Sequence, residues 1–237
     1  MTVGELLVEL TEVTKDYRGL RPLRIKHLAL HAGEAVALLG IDAAMSEVLI
    51  NLITGAQLPD SGEVRVFGRA TTSITDVDDW VTELDRFGLI SDRAVLVERF
   101  TAQQNLALPL SLEIEDPPPS LQAEVRQLAS EVGLTDEELS APTAALAPAA
   151  QFRLRLGRAL ALRPRVLLAE HPNATLAGSD LPGLAADIAR VTRNRGLASL
   201  VTTADPTFAS ALTDRVLELQ PASGLLKAPS GWRRWFS

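Results

Sequence analysis

The sequence predicts an α/β domain: a mostly parallel sheet covered by helices on both faces, antiparallel strands at the N-terminal end, and a helical insertion. Three observations carry this. Short continuous apolar runs at residues 36–39 and 166–169 suit strands buried on both faces, and such runs alternate with helical segments. Residues 6–30 instead alternate apolar and polar side chains, as antiparallel strands with one wet face do. The stretch from about 92 to 150 breaks the alternation with helical spacing on either side of an acidic, proline-rich connector. The chain has 237 residues, 46% of them hydrophobic, enough for one large α/β domain.

In chain order, LLVEL and LRIKHLAL within residues 6–30 are strands, Gly33 and Glu34 a turn, and residues 36–39 a central strand. Residues 47–53 read as a helix closed by Gly55. Pro59-Asp60-Ser61-Gly62 is turn chemistry, followed by a strand at 63–67 that ends at Gly68. Past the connector at 115–120, residues 120–133 have helical spacing, and Thr135 with Glu138 forms a capping box. Residues 183–195 are a helix stopped by Gly196, and strands at 197–202 and 216–219 enclose a short helix. No internal repeat is present.

A net charge of −7 argues against a general nucleic-acid binder. There is no cysteine, hence no thiolate metal site, and His27, His31 and His171 lack ligand spacing. His27 and His31 sit in a strand pattern with no partner in view. With no signal peptide and no apolar run near twenty residues, a soluble, cytoplasmic chain is expected, touching a membrane only through a partner.

The P-loop pattern G-x-x-x-x-G-K-[ST] falls on residues 40–47 (GIDAAMSE). Gly40 keeps the first glycine, while Met45 stands at the second glycine, Ser46 at the lysine and Glu47 at the magnesium-binding hydroxyl. Five further segments share order and spacing with one family: Gly33-Glu34, residues 58–64 (LPDSGEV), 101–110 (TAQQNLALPL), 158–164 (RALALRP) and 214–217 (DRVL). On these residues, from Leu6 to about Leu226, the chain resembles the ATP-binding subunit of an ABC transporter, of the lipoprotein-release and macrolide-export type.

The resemblance implies a P-loop NTPase (RecA-like) core at 1–91 and 151–237, with an N-terminal antiparallel β subdomain and a helical subdomain at 92–150. It implies adenine stacking on Tyr17, the only tyrosine. The magnesium-sensing glutamine falls on Asp92, and the signature L-S-G-G-Q on residues 146–150, with Ala147, Pro148 and Ala149 in place of serine and the glycines. The Walker B aspartate falls on Glu170, the catalytic glutamate on His171, the D-loop aspartate on Ala177, and the switch histidine on Ala204 to within one residue.

These substitutions act against nucleotide. Ala43, Ala44 and Met45 put side chains where glycines let backbone approach phosphate, and Ser46 brings no charge. Two unit charges 4 Å apart at an effective dielectric of 20 repel by about 4 kcal/mol, which is what a phosphate meets at Glu47. Glu47 is expected to cap its own helix in place of phosphate. Pro148 has no N–H and Ala147 no hydroxyl, so the segment serves poorly in a partner's site. No catalytic residue, metal or cofactor is expected, with Glu170 at most a magnesium ligand.

The leading expectation is a degenerate, inactive ATPase-like subunit, cytoplasmic and peripheral on the inner face of the cell membrane. It would be a structural or regulatory partner of a membrane permease, a second ABC ATPase subunit, or both, with dimerisation possible. Residues 92–112 would supply the permease-docking region, with Leu96, Val97 and Phe100 as apolar surface. The alternatives are a divergent subunit that hydrolyses ATP with Mg2+ slowly to drive transport, and a soluble nucleotide or ligand sensor. Arg153, Arg155, Arg158, Arg163 and Arg165 read as a solvated helix face or a basic patch. The tail at 231–237 (GWRRWFS) reads as an auxiliary contact or a frayed end.

Overall fold

The computed structural model describes residues 4–115, 117–176 and 178–229. Ala177 and the tail at 231–237 lie outside the described residues.

Strands β1 (Leu6–Lys15) and β2 (Leu23–His31) pair antiparallel, and β1 also pairs with β4 (Ser61–Val66), which pairs with β5 (Arg69–Ala70). These form a four-stranded sheet in the order β2-β1-β4-β5. The larger sheet contains β3 (Ala35–Leu39), β6 (Phe87–Ile90), β7 (Val166–Glu170), β8 (Ala198–Thr202), β9 (Val216–Gln220) and β10 (Leu225–Lys227). Its order is β10-β9-β3-β8-β7-β6, parallel except for the β9–β10 pair.

Both faces of this sheet are covered, and the two-residue period of a strand divides its side chains between them. Val36, Leu38, Val166, Leu168 and Leu200 join α1 (Ala43–Ile53) and the antiparallel sheet in one core. Ala37, Leu39, Leu167, Ala169 and Val201 face the other core. That second core receives α3 (Ala102–Ala107), α4 (Pro119–Val132), α6 (Pro148–Leu160), α7 (Leu181–Arg195) and α8 (Pro206–Leu212). The continuous apolar runs in the sequence are therefore strands wet on neither face.

Helix ends follow local chemistry. Gly133 and Gly196, at φ 82° and 63°, close α4 and α7 in left-handed caps. Capping boxes open α3 (Thr101 with Gln104) and α5 (Asp136–Ser140; Thr135 with Glu138). Residues 77–90 add α2 (Val77–Leu84) and β6, an edge strand pairing with β7. The Trp80 indole donates to the Thr54 carbonyl at 2.9 Å and so fastens α2 to the end of α1.

Candidate functional site

Of the nucleotide positions, residues 40–47, Glu170 and His171 come together at the C-terminal ends of β3 and β7, beside Thr202 at the end of β8, whereas Ala147, Pro148 and Ala149 lie apart from them at the start of α6. Gly40 follows β3 at φ +75°, and a Cβ there would lie 2.7 Å from the Leu219 carbonyl oxygen, so only glycine fits this turn. Three residues later α1 begins, at Ala43. Asp42 is its N-cap and its carboxylate accepts from the Met45 N–H at 2.8 Å. The Ser46 N–H donates to the Asp42 carbonyl at 2.9 Å. Two backbone donors of the loop are thus satisfied within it.

The expectation that Glu47 caps this helix is corrected here: Asp42 stands three residues before Met45, the spacing a capping side chain needs, and α1 starts at Ala43 instead of Glu47. Glu47 sits in the second turn and points across the cleft. Its carboxylate meets Arg93 Nη1 at 2.9 Å. The same nitrogen lies 3.4 Å from Asn51 Oδ1, and Nη2 pairs with the Glu170 carboxylate. One guanidinium therefore joins α1 to the end of β7. The sequence reading passed over Arg93, the immediate neighbour of Asp92, itself exposed. The signal available was only that a basic residue stands beside the aligned position.

Ser46 is fully buried, and its hydroxyl bonds the Thr202 hydroxyl at 2.7 Å, tying α1 to β8. Thr202 also accepts from the His171 N–H, at its carbonyl (3.0 Å) and its hydroxyl (3.2 Å). His171 adopts φ 41°, and its Nε2 is buried without a hydrogen-bond partner among the described residues. Ala204 is exposed in the loop before α8, where Asp205 caps the helix. At the start of α6, Ala147 is the N-cap residue without a side-chain bond and Pro148 takes the first helical position, both exposed; Ala149 follows. Tyr17 is half-buried on a cleft of about 550 Å³ that Lys15, Arg18, Ala44, Glu47 and Asn51 also line.

The Glu170 carboxyl is held above the usual carboxylate range. Burial is the main cause; Arg93 opposes it, and the charges of Glu47 and Asp92 add to the rise. The folded protein thus holds this proton more tightly than the unfolded chain. Stability associated with Glu170 falls as pH rises through the raised value. Glu170→Gln is therefore expected to melt at or above the temperature of the natural protein at pH 7.5, the difference vanishing below about pH 4.5. Thermal melts across that range test this, and a lower melting temperature at every pH would refute it.

Other expectations are altered by the geometry. Leu96 is buried in the core, so it is not surface; Val95 beside it is 70% exposed. His31 has a partner after all: its ring nitrogen lies 3.2 Å from Glu34, which also pairs with Arg215. Burial raises the Glu34 carboxyl, but the His31 N–H and Arg215 outweigh it and the net shift is downward. Of the arginines following the signature position, Arg153 pairs with Asp187 (2.9 Å), Arg163 with Glu124 (3.2 Å) and Arg165 with Glu5, while Arg158 donates to the Val95 carbonyl at 2.8 Å. These bonds are internal to the chain.

Residues 23–174 match the family model described as ABC transporter. The chain is 32% identical over 220 residues to the macrolide export ATP-binding/permease protein MacB of Salmonella typhi, covering 90% of this chain and 33% of that protein. It thus spans about a third of the length of those macrolide-export relatives. It is 28% identical over 217 residues to the lipoprotein-releasing system ATP-binding protein LolD 1 of Rhodospirillum rubrum, covering 90% and 95%. An uncharacterized ABC transporter ATP-binding protein of Mycobacterium tuberculosis is 32% identical over 190 residues, covering 79% and 75%. Among solved structures, CbiO1 from Clostridium perfringens, part of an ABC transporter complex, superposes with a TM-score of 0.81 at 16% identity, covering 94% of this chain and 88% of that one. A dimeric bacterial ABC transporter cassette gives 0.76 at 22%, covering 94% and 97%. At these identities the two structures bear on the fold: an α/β P-loop NTPase core with an antiparallel β subdomain and a helical insertion.

Proposed function

This chain belongs to the ABC transporter ATP-binding family, and from that premise we propose that it is a non-hydrolysing subunit that works by binding. Its place is at the inner face of the cell membrane, docked on a permease or on an active ATPase subunit, as a structural or regulatory component. Among the described residues no helix is long and apolar enough to cross a membrane.

The observation that carries this is the sharing of Arg93 between Glu47 and Glu170. A magnesium triphosphate needs a cation-seeking oxygen pair and a loop of free N–H donors. Here the oxygens already have a cation, the Met45 and Ser46 N–H groups are bonded to Asp42, and residue 46 is an uncharged, buried serine. Magnesium and ATP do not fit these side chains. Pro148 gives a facing subunit no N–H and Ala147 gives it no hydroxyl, so an inert position in a dimer is the arrangement they suit. We assign the core to 1–91 and 151–237 and the helical arm to 92–150. Docking on a permease would use the groove of about 210 Å³ between α2, β6 and α6, lined by Leu84, Leu89, Pro109, Arg158 and Leu162 and bordered by exposed Val95.

Titration of the purified protein with a fluorescent ATP analogue, with and without magnesium, tests this. No saturable binding below about 1 mM is expected, a dissociation constant worth only about 4 kcal/mol. Micromolar, magnesium-dependent binding would overturn it. The second reading, a subunit that still binds nucleotide, is favoured by one observation: the cleft beside Tyr17 is open.

A further inference from the structure

Residues 91–97, between β6 and α3, are fastened at three points, each involving a side chain, and Phe100 beyond them accepts from the Thr143 hydroxyl at 2.9 Å. Arg93 holds its start to α1 and β7. Arg158 of α6 holds its middle through the Val95 carbonyl at 2.8 Å. Asn105 of α3 holds Val97, accepting from its N–H at 2.9 Å and donating to its carbonyl at 3.0 Å. Only the first of these bonds crosses the cleft where a ligand would sit. The Arg93 side chain is half-exposed, whereas that of Glu170 is 13% exposed and feels the charges of both Glu47 and Asp92. Two carboxylates thus face one guanidinium, whose fork geometry lets it serve Glu47 and Glu170 at once.

We propose that Arg93 is a built-in latch, an internal cation that bridges α1 to the end of β7 and holds the start of the segment after β6 in one position without any ligand. The latch makes the surface around Val95 a fixed feature of the protein, where a bound ligand would otherwise have to order it. This rests on the reading of the cleft as non-hydrolysing. The asymmetry of burial gives the latch its direction. Removing Arg93 leaves Glu170 charged, largely buried and beside two like charges; removing the charge of Glu170 leaves an arginine that is half in solvent and still paired.

Hydrogen exchange read by mass spectrometry on the intact protein is the test. In Arg93→Ala, peptides covering residues 91–100 and 42–51 are expected to exchange at least tenfold faster, while peptides from α7 and α8 keep their natural rates. Arg93→Lys should fall between, since an ammonium keeps the charge and loses the fork. Natural rates at 91–100 in Arg93→Ala, or an increase spread evenly over the chain, would overturn the latch. If that variant is too unstable to measure, Glu47→Leu/Glu170→Leu removes the same contacts from the other side at nearly constant volume. The same local increase is then expected, and its absence is equally decisive. The latch and the reading it rests on fail separately. Micromolar ATP binding by the natural protein together with local loosening in Arg93→Ala sinks the reading and keeps the latch. No ATP binding and no loosening does the reverse.

Discussion

Asn105→Ala is expected to lower the melting temperature by about 10 °C, a loss of about 3–5 kcal/mol. Asn105 is fully buried, and each of its polar atoms is in use. Its oxygen accepts from the Val97 N–H, and its amide nitrogen reaches the carbonyls of Val97 and Thr101 (3.0 and 3.2 Å) and the Thr143 hydroxyl (2.9 Å). Thr143 in turn donates to the Phe100 carbonyl at 2.9 Å. Truncation leaves several of these groups buried without partners, at about 1–3 kcal/mol each, and opens a small void. Thr143→Val removes one hydroxyl at nearly constant volume and should cost about 1 kcal/mol. Thermal and denaturant melts of both variants decide it. A fall below about 2 °C for Asn105→Ala would mean that water reaches this network.

Ser46→Lys should be comparably damaging, and millimolar magnesium ATP should not rescue it. In a working phosphate loop the lysine charge is met by phosphate. Here the serine is buried with the Thr202 hydroxyl as its contact. An ammonium placed there either remakes α1 or gives up its proton. Neutralising a lysine at pH 7 costs about 4–5 kcal/mol from its ordinary pKa, which sets the scale of the loss. Adding Glu47→Ser also frees Arg93 from one partner and leaves Asp42 still capping Met45. The double variant should therefore remain blind to ATP in a melt. A rise in melting temperature with ATP would show that the loop reopens once its lysine is returned.

Which parts of this molecule can be read from its sequence follows from how local their causes are. The wet-faced and dry strands follow from side-chain period alone: β2, β3, β7, β8 and β9 lie within a residue or two of the expected positions, and β1 starts where expected but runs five residues further. The glycine stops of α4 and α7 and the Thr135–Glu138 box are local too. The start of α1 was equally local, with Asp42 in capping position, but the phosphate-loop frame drew the helix start to Glu47. Helix α2 and strand β6 are short, eight and four residues, and residues 69–91 gave no firm assignment. Within the site, the positions were placed by pattern, and what they touch was not. Arg93 lies 46 residues from Glu47 and 77 from Glu170, so only the fold brings them together. Leu96 and Val95 show the same limit at one residue's distance, where a turn sends the first into the core and leaves the second in water.

The strand order carries a consequence for synthesis. β3 lies in the middle of the large sheet, yet both of its neighbours, β8 and β9, come from the last fifth of the chain: Val36 pairs with Leu200 and Ala37 with Val216. The first of these partners leaves the ribosome roughly 160 residues after Val36, on the order of ten seconds later at typical elongation rates. Until then an apolar strand has a nascent chain's worth of wrong partners and neither of its own. A newly made copy is thus expected to keep this strand unpaired until synthesis is nearly complete, whereas the antiparallel β1–β2 hairpin has all of its residues by residue 31.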